Sequence, residues 1–159
     1  MLVPSLVHGL ILAFVIGIVA GLRAMMAPAA IAWAATRGAL PLHGTWLAFL
    51  GGRFAPWIFT LLAAAELVTD QLPSTPSRKV PPQFAARIVA GGLSGAAIGY
   101  GIGAPLPGIV LGVVGAVVGT YGGAAARARM AAAFGSDRPA ALIEDAVAIL
   151  GAVLVVLSL

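Results

Sequence analysis

Residues 66–87 read ELVTDQLPSTPSRKVPPQFAAR. The stretch holds Glu66 and Asp70, two of only five acidic residues in the chain. It also holds Arg78, Lys79 and Arg87, three of the nine basic ones, and four prolines. Apolar sequence flanks it on both sides. A carboxylate inside an apolar helix costs about 2.5–3.5 kcal/mol near a bilayer centre, so its presence asks for a reason. The surrounding chain reads as a membrane scaffold that holds this stretch at one face.

Composition supports that reading. Of 159 residues, 61% are hydrophobic and 9% charged, and the mean hydropathy is +1.08. A soluble domain carries about 25% charged residues. A soluble fold of this size could not hide so much apolar surface, and the length suits one domain, residues 1–159. The net charge of +4 does not point to nucleic acid, because the basic residues stand singly between apolar runs and form no stripe. They read instead as topology signals beside anionic lipid. With no cysteine there is no disulfide, thiolate ligand or thiol nucleophile. The N-terminus lacks the basic region of a signal peptide, so the first helix is expected to be retained.

The expected fold is an all-α bundle of six membrane-spanning helices. Five plus one short or re-entrant helix is the alternative. The expected segments are 4–22, 24–36, 54–72, 84–103, 108–126 and 139–159. The second is the doubtful crossing, because thirteen residues of helix reach only about 20 Å against a hydrocarbon core of about 30 Å. Segments four and five form a hairpin over 84–126. In it Gly91, Gly95, Gly99 and Gly103 repeat every four residues, as do Gly115, Gly119 and Gly123. Spacing of four places each set on one helical strip, where bare backbones can approach closely. These strips are expected to pack helices, either within one chain or in a homo-oligomer.

Six crossings with both termini outside place Arg23, Arg78, Lys79, Arg87, Arg127, Arg129 and Arg138 at the cytoplasmic border. Only Arg37 and Arg53 fall on the other side. Trp33, Trp46, Trp57 and Tyr100 then lie near the outer interface, where amphipathic rings prefer to sit. The same topology brings Glu66, Asp70, Glu144 and Asp145 to one membrane half, with Arg23 and Arg87 at that level. Glu66 and Asp70 are four apart and share a helix face, whereas Glu144 and Asp145 are adjacent, so at most one is expected to point straight inward.

Three roles compete for these charges. They are buried Arg–carboxylate pairs that fix helix register, or a cation or proton site with the arginines as countercharges. The third is a phosphate or lipid head-group site built from Ser74, Thr75, Ser77, Arg78 and Lys79. No hydrolase, phosphate-loop or metalloprotease motif is present, so no catalytic residue, cofactor or defined metal site is expected. The functional expectation is a small ion or solute transporter or channel, proton- or cation-coupled. A membrane-organising protein without catalytic activity is the alternative, and a lipid head-group binder or enzyme stands third.

Gly21-Leu22-Arg23-Ala24, Pro28, Glu66-x-x-x-Asp70-x-Leu72-Pro73, Ser77-Arg78, Pro82 and Glu144-Asp145 together resemble a family of small bacterial integral-membrane proteins known as a domain of unknown function. The resemblance implies a multi-pass protein of the bacterial inner membrane and carries no activity with it.

Overall fold

The computed structural model describes residues 5–71 and 77–159, and among these it is all helical. Six α-helices follow one another: α1 (Leu6–Leu22), α2 (Met26–Thr36), α3 (Ala55–Thr69), α4 (Pro81–Gly101), α5 (Pro105–Phe134) and α6 (Asp137–Ser158). A 3-10 turn, Ala48–Gly51, interrupts the long connection between α2 and α3.

Local chemistry accounts for the helix ends. Ser5 caps α1, its Oγ accepting the His8 N–H at 3.3 Å. Prolines occupy the first turns of α3, α4 and α5, where their missing N–H costs nothing. α5 does not stop at Ala126 but runs to Phe134, because AAARARMAAAF is built from strong helix formers. Gly135 ends it in the left-handed region (φ 67°). α3 stops at Thr69, earlier than Leu72, with Asp70 as its C-cap.

The helices run alternately between two ends of one bundle. His8, at the start of α1, lies 3.3 Å from the Ser158 carbonyl at the end of α6. A Cβ on Gly9 would meet Ile102, at the end of α4. Arg23, Asp70, Arg87 and Asp145 gather at the opposite end. α2 carries the chain back: Leu40 and Pro41, just beyond it, pack near Gly101. This second helix therefore traverses the bundle and does not return to its starting end. Its 11 residues give about 16 Å of helix, and the following turn supplies the rest.

α1, α4 and α5 form the tight centre, and glycine makes their contacts possible. A Cβ on Gly91 would fall 2.6 Å from the Gly112 carbonyl oxygen, and one on Gly21 would fall 2.6 Å from the Thr120 nitrogen. Gly95 meets Gly108, while Gly115 and Gly119 meet α1 at Phe14 and Ile18. Both strips are thus occupied by helices of the same chain, the within-chain packing of the two that the spacing allowed. Two glycines leave the strips. Gly103 adopts φ 70° with nothing within 4 Å, so it serves the α4–α5 turn. Gly123 faces Leu22, Arg78 and Glu144.

α3 is peripheral and packs chiefly on α2 and the 48–51 turn. Large apolar side chains cover the outside of the bundle; Leu61 is 71% exposed and Leu157 75%. By length and hydropathy α5 and α6 are long and apolar enough to cross a membrane, whereas α1, α2 and α3 are apolar but shorter.

Crowding the glycine contacts should destabilise the bundle. Gly95→Ala is expected to lower stability by about 1–3 kcal/mol, the usual cost of overpacking. Gly122→Ala, with nothing within 4 Å, should be tolerated; equilibrium unfolding in detergent compares the two.

Candidate functional site

The site begins where α1 breaks. Arg23 follows α1 in extended backbone (φ −141°, ψ 109°), which turns its side chain into the bundle, where it is 0% exposed. Its Nε donates to Asp145 Oδ1 at 2.7 Å. Its Nη1 donates to Asp70 Oδ2 and to the Leu22 carbonyl at 3.3 Å. Nη2 lies against Asp145 Oδ1 as an ion pair, without the alignment of a hydrogen bond. Gln71 Nε2 holds the other oxygen of Asp145 at 3.0 Å. One guanidinium thereby ties α1 to α3 and α6.

Glu66 does different work. Its Oε1 accepts the Ala24 N–H and its Oε2 the Met25 N–H, both at 2.8 Å. α2 has no capping side chain of its own. A carboxylate from α3 therefore meets the exposed amides and the positive end of the α2 dipole. The end of α1 is met by donors instead. Arg87 Nε donates to the Gly21 carbonyl at 3.2 Å, and Thr120 Oγ1 donates to the same oxygen at 3.4 Å. Cations and donors suit a helix C-terminus for the same electrostatic reason. Arg87 Nη2 also lies 3.9 Å from both Glu66 Oε1 and Asp70 Oδ2.

A second group adjoins the first. Arg78 grips Glu144 with two bonds, Nη1 to Oε1 and Nη2 to Oε2 at 2.8 Å. Arg127 reaches Glu144 Oε2 at 3.4 Å. It also grips Asp137, Nε to Oδ1 at 2.9 Å and Nη2 to Oδ2 at 2.6 Å. Planar guanidinium forks match carboxylates in this paired geometry.

The structure therefore brings together all six charges expected to converge: Glu66, Asp70, Glu144, Asp145, Arg23 and Arg87. It adds Arg78, Arg127, Asp137 and Gln71. Glu144 and Asp145 are both buried, 4% and 8% exposed, because they turn to different partners, Arg78 with Arg127 and Arg23 respectively. Every acidic residue of the chain has an arginine within 4 Å. Among the described residues no group of three or more metal-ligating side chains is placed to hold an ion.

Three of the five residues expected to form a head-group site are described, and each has a partner. Arg78 is turned inward to Glu144, Lys79 sits 5.7 Å over the Tyr121 ring, and Ser77 Oγ accepts the Lys79 N–H at 3.3 Å. Ser74 and Thr75 lie outside the described residues. The inward turn of Arg78 has a simple cause: Glu144 is buried and needs a countercharge.

No family model matches the chain, and neither a curated protein nor a solved structure shows significant similarity to it.

Removing one partner from a buried ion pair leaves the other charge stranded. Arg23→Met is expected to destabilise the protein by about 3–5 kcal/mol. Arg129→Gln, at an exposed position with no ion pair among the described residues, should stay within about 0.5 kcal/mol of the parent. Denaturant titration followed by circular dichroism measures both.

Proposed function

We propose that this chain is a six-span protein of the bacterial cytoplasmic membrane, without catalytic activity, whose charged end faces the cytoplasm and locks the helices together. The observation that carries the reading is the pairing of every carboxylate with arginine. A cation site needs acid groups free to take the ion, and here guanidinium groups and the α2 amides already occupy them. Support for membrane insertion comes from the apolar outer surface and from the segregation of charge. All five acids and the arginines that hold them lie at one end, while Trp33 and Trp57 pair at the other with ring centroids 5.2 Å apart. The resemblance to a bacterial multi-pass family points the same way. In this role the protein acts by packing and binding, as a membrane-organising element.

A second reading, an ion- or proton-coupled carrier, draws on one observation. The break between α1 and α2 exposes two helix ends beside ionisable groups inside the bundle, an arrangement that carriers use. The two readings part in proteoliposomes. The locking role predicts no flux of protons or alkali cations above that of empty vesicles, together with lowered stability of Glu66→Gln and Asp145→Asn. Flux that these substitutions abolish while the variants stay folded would establish the carrier instead.

Topology has its own test, helped by the absence of native cysteine. In intact cells an impermeant maleimide should label His43→Cys from outside and leave Met130→Cys unlabelled. Labelling of both from one side would overturn the six-span arrangement.

A further inference from the structure

The end of the bundle away from the ion pairs carries two basic residues that the positive-inside pattern leaves unexplained, Arg37 and Arg53. Since all five acids lie at the other end, neither has a carboxylate partner. Arg37 stacks on Trp33 at 5.5 Å and Arg53 on Phe54 at 5.8 Å. Stacking on a ring leaves guanidinium N–H donors free.

Two cavities meet there. The first is an apolar groove of about 460 Å³, within the usual range of roughly 300–1,000 Å³ for ligand sites. Ala29 and Ala30 of α2 form its floor, Ala63 and Ala64 of α3 one side, and Ala152 and Val153 of α6 the other. The groove exists because α3 packs on α2 and leaves α6 uncovered. Alanines of α2 and α3 keep it open on two sides, while larger side chains such as Ile149 and Val156 line the α6 side. Arg37 and Trp33 stand at its outer end. The second cavity is polar and also about 460 Å³, with Arg53, His43 and Thr36 in its lining. Trp33 lines both, and its Nε1 is anchored by a hydrogen bond to Thr60 Oγ1 at 3.0 Å.

We propose that these cavities together bind one anionic phospholipid of the outer leaflet. An acyl chain lies in the α2–α3–α6 groove, and the phosphate sits where the two cavities adjoin, with Arg53 and His43 in the polar pocket and Arg37 at the outer end of the groove. The chemistry is matched at both ends. An apolar slot open along the bundle side suits a chain arriving from the bilayer, and guanidinium groups with no ion-pair partner among the described residues suit phosphate oxygens. Trp33 sits where chain and head group join, the depth that indole rings prefer. A zwitterionic lipid would fill the groove equally well but would bring its own cation to a junction that Arg53 on one side and Arg37 on the other already flank.

The inference rests on the membrane reading above. Trp33 and Trp57 serve as reporters once Trp46→Phe removes the remaining indole. The full chain in nonionic detergent is titrated with brominated-chain phosphatidylglycerol or brominated-chain phosphatidylcholine, and fluorescence quenching is recorded. The anionic lipid is expected to quench at a lower mole fraction, by about fivefold for each arginine engaged. Arg37→Gln with Arg53→Gln should bring the two lipids together, while Ala64→Leu should weaken quenching by both. Arg129→Gln, at the opposite end, should change neither.

Equal quenching by the two lipids in the parent, or a preference that survives the double substitution, would overturn the lipid site. So would quenching by neither lipid in a protein that runs as a dimer, which would give the groove to a second copy. A chain that stays in solution without detergent would overturn the membrane reading itself. A chain that needs detergent yet shows no head-group preference overturns the lipid site alone.

Discussion

A guanidinium sealed from solvent cannot stand without countercharge, and Arg23 is sealed completely. Its position follows from the chain: it is the residue at which α1 stops, so its side chain enters the bundle just where two helix ends lie. Asp70 from α3 and Asp145 from α6 converge on it. Glu66 then caps the amides that open α2, and Arg87 and Thr120 donate to a carbonyl that closes α1. The break in the first hairpin is thus stabilised from four other helices at once. Loss of the clamp would strand two carboxylates and uncap α2, so it fixes which helices neighbour one another.

The glycine contacts complement that clamp. In the membrane setting proposed above, apolar helices gain nothing from hiding from water, so close backbone approach supplies the attraction. α1, α4 and α5 achieve it through Gly17, Gly21, Gly91, Gly95, Gly108 and Gly112. These contacts fix distance between the central helices, and the ion pairs fix register at one end. α3 shares only the second device, which leaves it peripheral and opens the groove beside it.

Much of the charged end was legible in the sequence, for identifiable reasons. Glu66 and Asp70 share a face by spacing alone, and the alternation of apolar segments with basic loops places Arg23, Arg87, Glu144 and Asp145 at the same end. The partners were less legible. Arg78 reads as a loop charge, and nothing in its spacing shows that it turns in to Glu144. Asp137 opens α6, and Arg127 takes it because α5 continues past Ala126 and brings that arginine around to the α6 start. Periodicity also overran its domain at Gly103, where the turn's positive φ requires glycine for conformation and not for packing. The groove had no sequence signal, since it depends on how far α3 stands from α6.

The most direct test of the clamp is a double-mutant cycle on Arg23 and Asp145. Unfolding free energies would be measured in detergent for the parent, Arg23→Met, Asp145→Leu and the pair. A clamp that organises the bundle predicts strongly non-additive losses, with a coupling of about 2–3 kcal/mol, the upper range for residues in direct contact. Additive losses, with coupling under about 0.5 kcal/mol, would contradict it and leave the glycine contacts as the sole organising element.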